Sequence, residues 1–252
     1  MIPCTIEHCT VESVKTGRLA GRVVPRQTVD SSLSNHLYEL FARFYAHVDR
    51  ATFERDQEEK DWVLLLSDAE GVVQGFTTLK LYDLEVLGRP IRAVFSGNTI
   101  IHPEFWGEQE LVATWCRFMA RLKQQAVTVP LYWFLICSGY RTYQYLPLFF
   151  HDFYPRHDKP TASFERTLID TLGQMKFLEE YRDGVVQVSK PRECLSGELA
   201  VPRPAKFNNP HVRFFFEQNP GCLRGDELVC ITEFSLENTK RLAHAMAREV
   251  LG

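Results

Sequence analysis

Apolar residues recur at intervals of three and four through Leu37, Leu40, Phe41, Phe44 and Val48, which predicts an amphipathic helix with Ser34 as its N-cap. His36, Arg43, His47 and Arg50 fill its polar positions. The first ~30 residues mix Thr, Val, Arg and Pro without a helical period and predict a strand or strand-like arm. Downstream the period shortens. Trp62–Ser67 and Val72–Tyr82 are β-rich and flank Asp68-Ala-Glu-Gly71, the composition of a hairpin turn. Leu87-Gly88-Arg89-Pro90 turns the chain into a half-apolar strand that ends at His102-Pro103-Glu104. After a loop on Gly107, Leu111, Trp115, Phe118 and Leu122 return to helical spacing across 108–125.

Leu131–Cys137 is continuously apolar, as in a central strand buried on both faces. An aromatic helix broken by Pro147 is expected across 141–150, and a second helix across 163–177. A Pro- and Gly-punctuated connector spans 190–210. The segments 212–216 and 228–234 then predict a second hairpin, turning on Asn219-Pro220-Gly221 and Gly225-Asp226, and an amphipathic helix closes the chain across 237–251. These elements predict one α/β domain with a mixed sheet over residues 1–252, its core within 33–234.

Composition narrows the function. The chain has 252 residues, 45% hydrophobic and 24% charged, enough to bury a full core. A net charge of -3 argues against a nucleic-acid protein, which needs clustered Lys and Arg to neutralise phosphate. Seven cysteines at irregular spacing, with no C-x-x-C pair, fit reduced thiols and a cytoplasmic location. No apolar stretch is long enough to span a membrane and no signal peptide is evident. Zinc spacing, a Gly-rich nucleotide loop and a G-x-S-x-G elbow are all missing, so no metal site is expected.

The order helix, hairpin, strand, loop-helix, buried strand, helix resembles the GNAT acyltransferases. The strand ending in hydrophobic-x-Pro at Ile101-His102-Pro103 and the helix after it carry the resemblance. The family continues with Arg/Gln-x-x-Gly-x-Gly or -Ala, whose backbone N–H groups hold the coenzyme A pyrophosphate. Here that motif falls on Trp106-Gly-Glu-Gln-Glu-Leu111. Gly107 is the one glycine left, Trp106 replaces the Arg or Gln, and Gln109 and Leu111 stand where glycines admit phosphate. Glu104, Glu108 and Glu110 add negative charge that disfavours a pyrophosphate, although glutamates in a first helical turn also suit the helix dipole. Such erosion resembles family members that take long acyl chains from an acyl carrier protein.

The resemblance implies splayed central strands, with a donor site along Asn98, Thr99, Ile100, Ile101 and His102, the loop Trp106, Gly107, Glu108, Gln109, Glu110 and Leu111, and Ser138 at the end of the next strand. Gly97 would mark the bulge that opens the strands, or else make room for Trp133 or Phe134. It implies a transferase that moves an acyl group, a long one, from an acyl-coenzyme A or 4'-phosphopantetheine thioester to an amine of an amino acid or peptide. The thioester is a co-substrate and no cofactor is permanently bound. A conventional acetyltransferase and a binding module without catalysis are the alternatives. The family's acid is a tyrosine after the buried strand, here Tyr145 or Tyr143. The donor strand carries no carboxylate, so His102 and His151, the latter followed by Asp152, are the ionisable candidates for the base. Tyr132, Trp133, Phe134, Phe149, Phe150, Phe153 and Tyr154 could wall a fatty-acyl groove or simply fill the core. Arg117, Arg121 and Lys123 could dock an acidic carrier protein or face solvent. The connector and final hairpin, 190–234, would help shape the acceptor site.

Overall fold

A computed structural model describes residues 11, 17–189, 194–195 and 204–251. Strand β1 (Ala20–Pro25) is followed by α1 (Ser31–Phe44), β2 (Tyr45–Ala46) and α2 (Arg50–Glu58). The hairpins come next: β3 (Trp62–Ser67), β4 (Val73–Val86) and β5 (Arg89–Ile101). Helix α3 (Glu110–Gln125) leads to β6 (Leu131–Cys137), the short helices α4 (Tyr140–Tyr143) and α5 (Tyr145–Phe149), and α6 (Ser163–Phe177). Short strands β7 (Tyr181–Arg182), β8 (Val185–Val186) and β9 (Cys194–Leu195) precede α7 (Pro210–Gln218), β10 (Glu227–Glu233) and α8 (Arg241–Leu251).

Eight strands form one mixed sheet in the order β1-β3-β4-β5-β6-β10-β8-β7, in which only β5 and β6 run parallel. Strands β2 and β9 pair separately, Tyr45 opposite Leu195. One face of the sheet packs on α3 and α8 through Leu64, Val94, Trp115, Phe118 and Ala247, and continues under α4 and α7 through Leu135, Cys137 and Phe215. The opposite face packs on α1 and α2 through Phe41, Phe53 and Leu65, and on α6 through Phe95, Phe134 and Leu168.

Several expectations change. Helix α1 begins earlier than Ser34, because the Asp30 carboxylate accepts the Leu33 N–H at 2.8 Å. Residues 212–216 form no strand. Asn209 caps the segment by accepting from His211 N, Pro210 fits the first helical turn, and Val212 and Phe215 are buried one turn apart. A triple phenylalanine satisfies a period of two as well as 3.6, so the cap decides. Strand β10 instead pairs with β6 and β8. Helix α2 carries only Phe53 and Gln57 as buried residues, too thin a stripe to register as a period. The final helix starts at Arg241 and not at 237. Residues 190–193 and 196–203 of the expected connector lie outside the described residues. Cys116, Cys137, Cys222 and Cys230 are free thiols. Among the described residues no helix is long and apolar enough to cross a membrane.

Candidate active site

Strands β5 and β6 pair over five rungs, from Arg92 with Leu131 to Ser96 with Leu135, and then part. Each arm stays fixed at its outer edge: Ile100 and Ile101 on Phe76 and Gly75 of β4, Ile136 and Cys137 on Val229 and Leu228 of β10. The sheet therefore opens in a V whose vertex is Ser96 and Leu135.

A β-bulge makes the opening. Thr78 pairs with Gly97 and Phe76 with Ile100, so two steps on β4 face three on β5. Asn98 takes the extra step in the left-handed region, at φ 48°, where asparagine is among the better tolerated residues. The bulge reverses the alternation of β5. Ile91, Ala93 and Phe95 pack on the α6 face, and beyond the bulge an even-numbered residue, Ile100, joins the neighbouring α1–α2 cluster on that side. Gly97 has no room for more: a Cβ there would lie 2.9 Å from the Phe95 ring. The residue was expected to mark the bulge or to accommodate Trp133 or Phe134; its crowding comes from Phe95.

A cavity of about 470 Å³ occupies the gap and is lined from both faces. On the α3 side its walls include Leu111, Val112, Trp115, Tyr145, Phe149 and Phe150, largely apolar. On the α2 side Phe41, Phe53, Phe95 and Phe177 stand beside Thr52, Asp56, Asn98 and Lys176. Asp56 is the hub of that side: Lys60 Nζ approaches Oδ1 at 2.6 Å, Asn98 Nδ2 donates to Oδ2 at 2.8 Å, and Lys176 Nζ stands 3.7 Å away. The Lys60 side chain is fully buried, and that burial pulls its pKa below the usual lysine value against the opposing pull of Asp56. At the rim, the Ser138 hydroxyl donates to Glu227 Oε1 at 2.5 Å, and both residues line the cavity.

Of the expected acids, Tyr145 lines the cavity, stacked on Phe149 at 5.9 Å, and burial raises its pKa so that the phenol keeps its proton. Tyr143 does not. Its hydroxyl donates to the Pro155 carbonyl at 2.9 Å, and its ring is fully buried between Phe153 and Phe215. The expected bases also lie elsewhere. His151 is exposed and tied by its N–H to Asn238, and His102 packs edge-on to Phe44 at the turn. Carboxylates supplied by remote elements, Asp56 and Glu227, reach the cavity instead. No local pattern marked either one.

Along the end of β5 Asn98 and Thr99 line the gap, Ile100 is buried under α1, and Ile101 packs toward α3. The loop after it is closed on itself. Trp106 N and Glu108 N bond to Pro103 O and Phe105 O, and the Trp106 indole donates to Ile101 O at 2.9 Å. Gly107 sits at φ 98°, Glu108 pairs with Arg18 at 2.9 Å, and Gln109 is the residue before α3. The Arg18 hydrogen bond holds the Glu108 carboxyl below its usual pKa. Glu110 is buried, accepting from Thr114 at 3.0 Å. Leu111 alone of the loop motif reaches the cavity. Arg141 stacks over Trp106 at 4.6 Å and supplies a cation at this mouth.

The aromatic wall has a different membership from the expected one. Trp133, Phe149 and Phe150 reach the cavity, whereas Tyr132, Phe134, Phe153 and Tyr154 pack in neighbouring clusters. Of the three α3 cations expected on a docking face, Arg121 is partly exposed and the other two are engaged within the fold. Arg117 is buried beside Glu110, Lys123 is held by Val129 O at 2.8 Å, and α8 lies along α3. Among the described residues no three His, Cys, Asp or Glu side chains converge as metal ligands.

No family model and no curated protein matches the chain. Solved structures match part of it. One is a conserved protein from Enterococcus faecalis described as a probable N-acyltransferase (15% identity, 50% of this chain and 31% of that one, TM-score 0.38). A second is the GNAT-family N-acetyltransferase YhbS from Escherichia coli in complex with CoA (14%, 51% and 67%, 0.36). A third is N-myristoyltransferase from Saccharomyces cerevisiae with bound myristoyl-CoA (9%, 52% and 34%, 0.36). The similarity is to GNAT-type acyltransferases. It covers about a third of the length of the first and third of these proteins, and a likeness so distant carries no activity to this chain.

Proposed function

We propose that the protein is an N-acyltransferase that moves a fatty acyl group from a pantetheine thioester to an amine. One observation supports this reading most: a cavity at a V in the sheet, largely apolar on one face and lined by both aromatic and charged side chains on the other. Its volume suits a ligand much larger than an acetyl group. The thioester arm would lie along β5 beyond Gly97, where no β6 partner competes for backbone hydrogen bonds, with the acyl chain against Trp115, Phe149 and Phe150. The amine, an amino acid or a peptide group, would arrive from the Asp56 and Lys176 side.

The chemistry follows from these positions. The amine nitrogen attacks the thioester carbonyl carbon, forming the C–N bond and an oxyanion. The amine's proton passes to Glu227, directly or through Ser138. Collapse of the oxyanion breaks the C–S bond, and Tyr145 protonates the departing thiolate. A thiolate is a good leaving group, so a phenol that stays protonated is sufficient acid. The closed loop over 103–109, with Glu104 and Glu108, offers little to a pyrophosphate, which favours a carrier protein over free coenzyme A as donor. Release of thiol from S-acyl-pantetheines of increasing chain length, with an amino acid mixture as acceptor, tests the proposal. Turnover that rises from acetyl to decanoyl supports it. Consumption of no thioester at any length would refute it.

A further inference from the structure

We propose that the Ser96 hydroxyl is the oxyanion donor of this site, a catalytic role that rests on the acyl-transfer reading above. Ser96 is the last residue of β5 paired to β6, so it stands at the vertex of the V, and it lines the cavity while being 9% exposed. Its Oγ accepts a hydrogen bond from Trp133 Nε1 at 2.9 Å. A hydroxyl has one proton and two lone pairs, so this contact engages a lone pair and leaves the proton to point elsewhere. Among the described residues that proton has no acceptor. The next carbonyl along the strand, Gly97 O, is already taken by the Thr77 and Thr78 hydroxyls at 3.2 and 3.0 Å. What remains in front of the Ser96 proton is the cavity.

Trp133 is a positioning residue. Its ring is held against Trp115 at 4.4 Å and near Phe150 at 6.1 Å, so the indole N–H that orients Ser96 is fixed before substrate arrives. A donor preorganised in a water-poor site stabilises the developing oxyanion without reorganising at the moment of reaction. Ser96 also shares the α3 face with Tyr145. One hydroxyl would then serve the carbonyl oxygen and the other the sulfur. The balance is that of aminolysis: the C–N bond forms, negative charge gathers on the oxygen hydrogen-bonded to Ser96, and as the C–S bond breaks that electron pair re-forms the carbonyl and the charge leaves on sulfur, where the Tyr145 proton meets it. Ser96 keeps its proton throughout.

The test compares wild type, Ser96→Ala, Trp133→Phe and the double variant, with S-decanoyl-pantetheine carrying a 13C carbonyl. Ser96→Ala should lower kcat roughly 10²- to 10³-fold with little change in KM, and Trp133→Phe should lower it less. The infrared carbonyl band of the bound thioester should move to higher frequency when Ser96 is lost. Ser96→Ala also strands the Trp133 N–H, so the double variant should regain thermal stability without regaining rate. Recovery of both would make the defect structural and overturn the proposal. An unchanged carbonyl band in Ser96→Ala overturns it as well, leaving acyl transfer intact. Failure of wild type to bind the thioester would overturn both readings.

Discussion

The bulge at Asn98 can be tested without any substrate. At φ 48° the residue occupies a conformation that penalises most side chains, and its amide donates to Asp56 at 2.8 Å. Asn98→Val and Asn98→Gly both lose that hydrogen bond. For a half-buried donor on a carboxylate the loss is about 1.5 kcal/mol, the low end for charged partners. Valine must then hold the left-handed conformation at a further cost of about 1–2 kcal/mol. Glycine adopts it freely. Denaturant unfolding should therefore place Asn98→Val about 3 kcal/mol below wild type, and below Asn98→Gly by about 1–2 kcal/mol. In melting temperature that gap is about 2–8 °C for a chain of this size. If valine proves as stable as glycine, or more so, β5 runs straight through residue 98. The two strands would then have no reason to part.

Other outcomes follow from the same geometry. Tyr145→Phe should reduce acyl transfer by about 10²- to 10⁴-fold with thioester affinity unchanged, measured by thiol release and by titration. Tyr143→Phe should instead cost about 1 kcal/mol of stability and leave the rate alone, since its hydroxyl serves only Pro155. Because burial raises the Tyr145 pKa, the active, protonated phenol persists above the ordinary tyrosine range near 10; the alkaline fall in kcat should begin above that pH and disappear in Tyr145→Phe. Phe150→Ala should cost about 3–5 kcal/mol, read by denaturation, and shift the preferred acyl chain to greater length. A fall in preferred length would place the chain elsewhere.

What the sequence revealed depended on how far apart the deciding residues lie. Leu131–Cys137 and Ser163–Phe177 match their expected bounds because seven apolar residues in a row, and a sustained helical period, each allow one reading. Phe214–Phe216 allowed two, and the cap at Asn209 settled it. Part of the cavity lining was legible through the resemblance, which pointed to Asn98, Thr99, Leu111, Ser138 and Tyr145. The charged side of the lining was not. Asp56 sits on a helix with little apolar signal, Lys176 ends a helix more than a hundred residues later, and Glu227 opens a strand further still. Only the sheet order brings them to one cavity. Ser96 was hidden for a different reason: an ordinary strand serine gains meaning only from ending the β5–β6 ladder beneath the Trp133 indole.

The most direct measurement is the crystal structure of the protein soaked with S-decanoyl-pantetheine or its thioether analogue. Electron density is expected between residues 97–101 and 136–138, with pantetheine amides hydrogen-bonded to the β5 arm and the decanoyl chain against Trp115 and Phe150. Ligand density on another surface, or two strands laddered together past Ser96 and Leu135, would contradict the proposal.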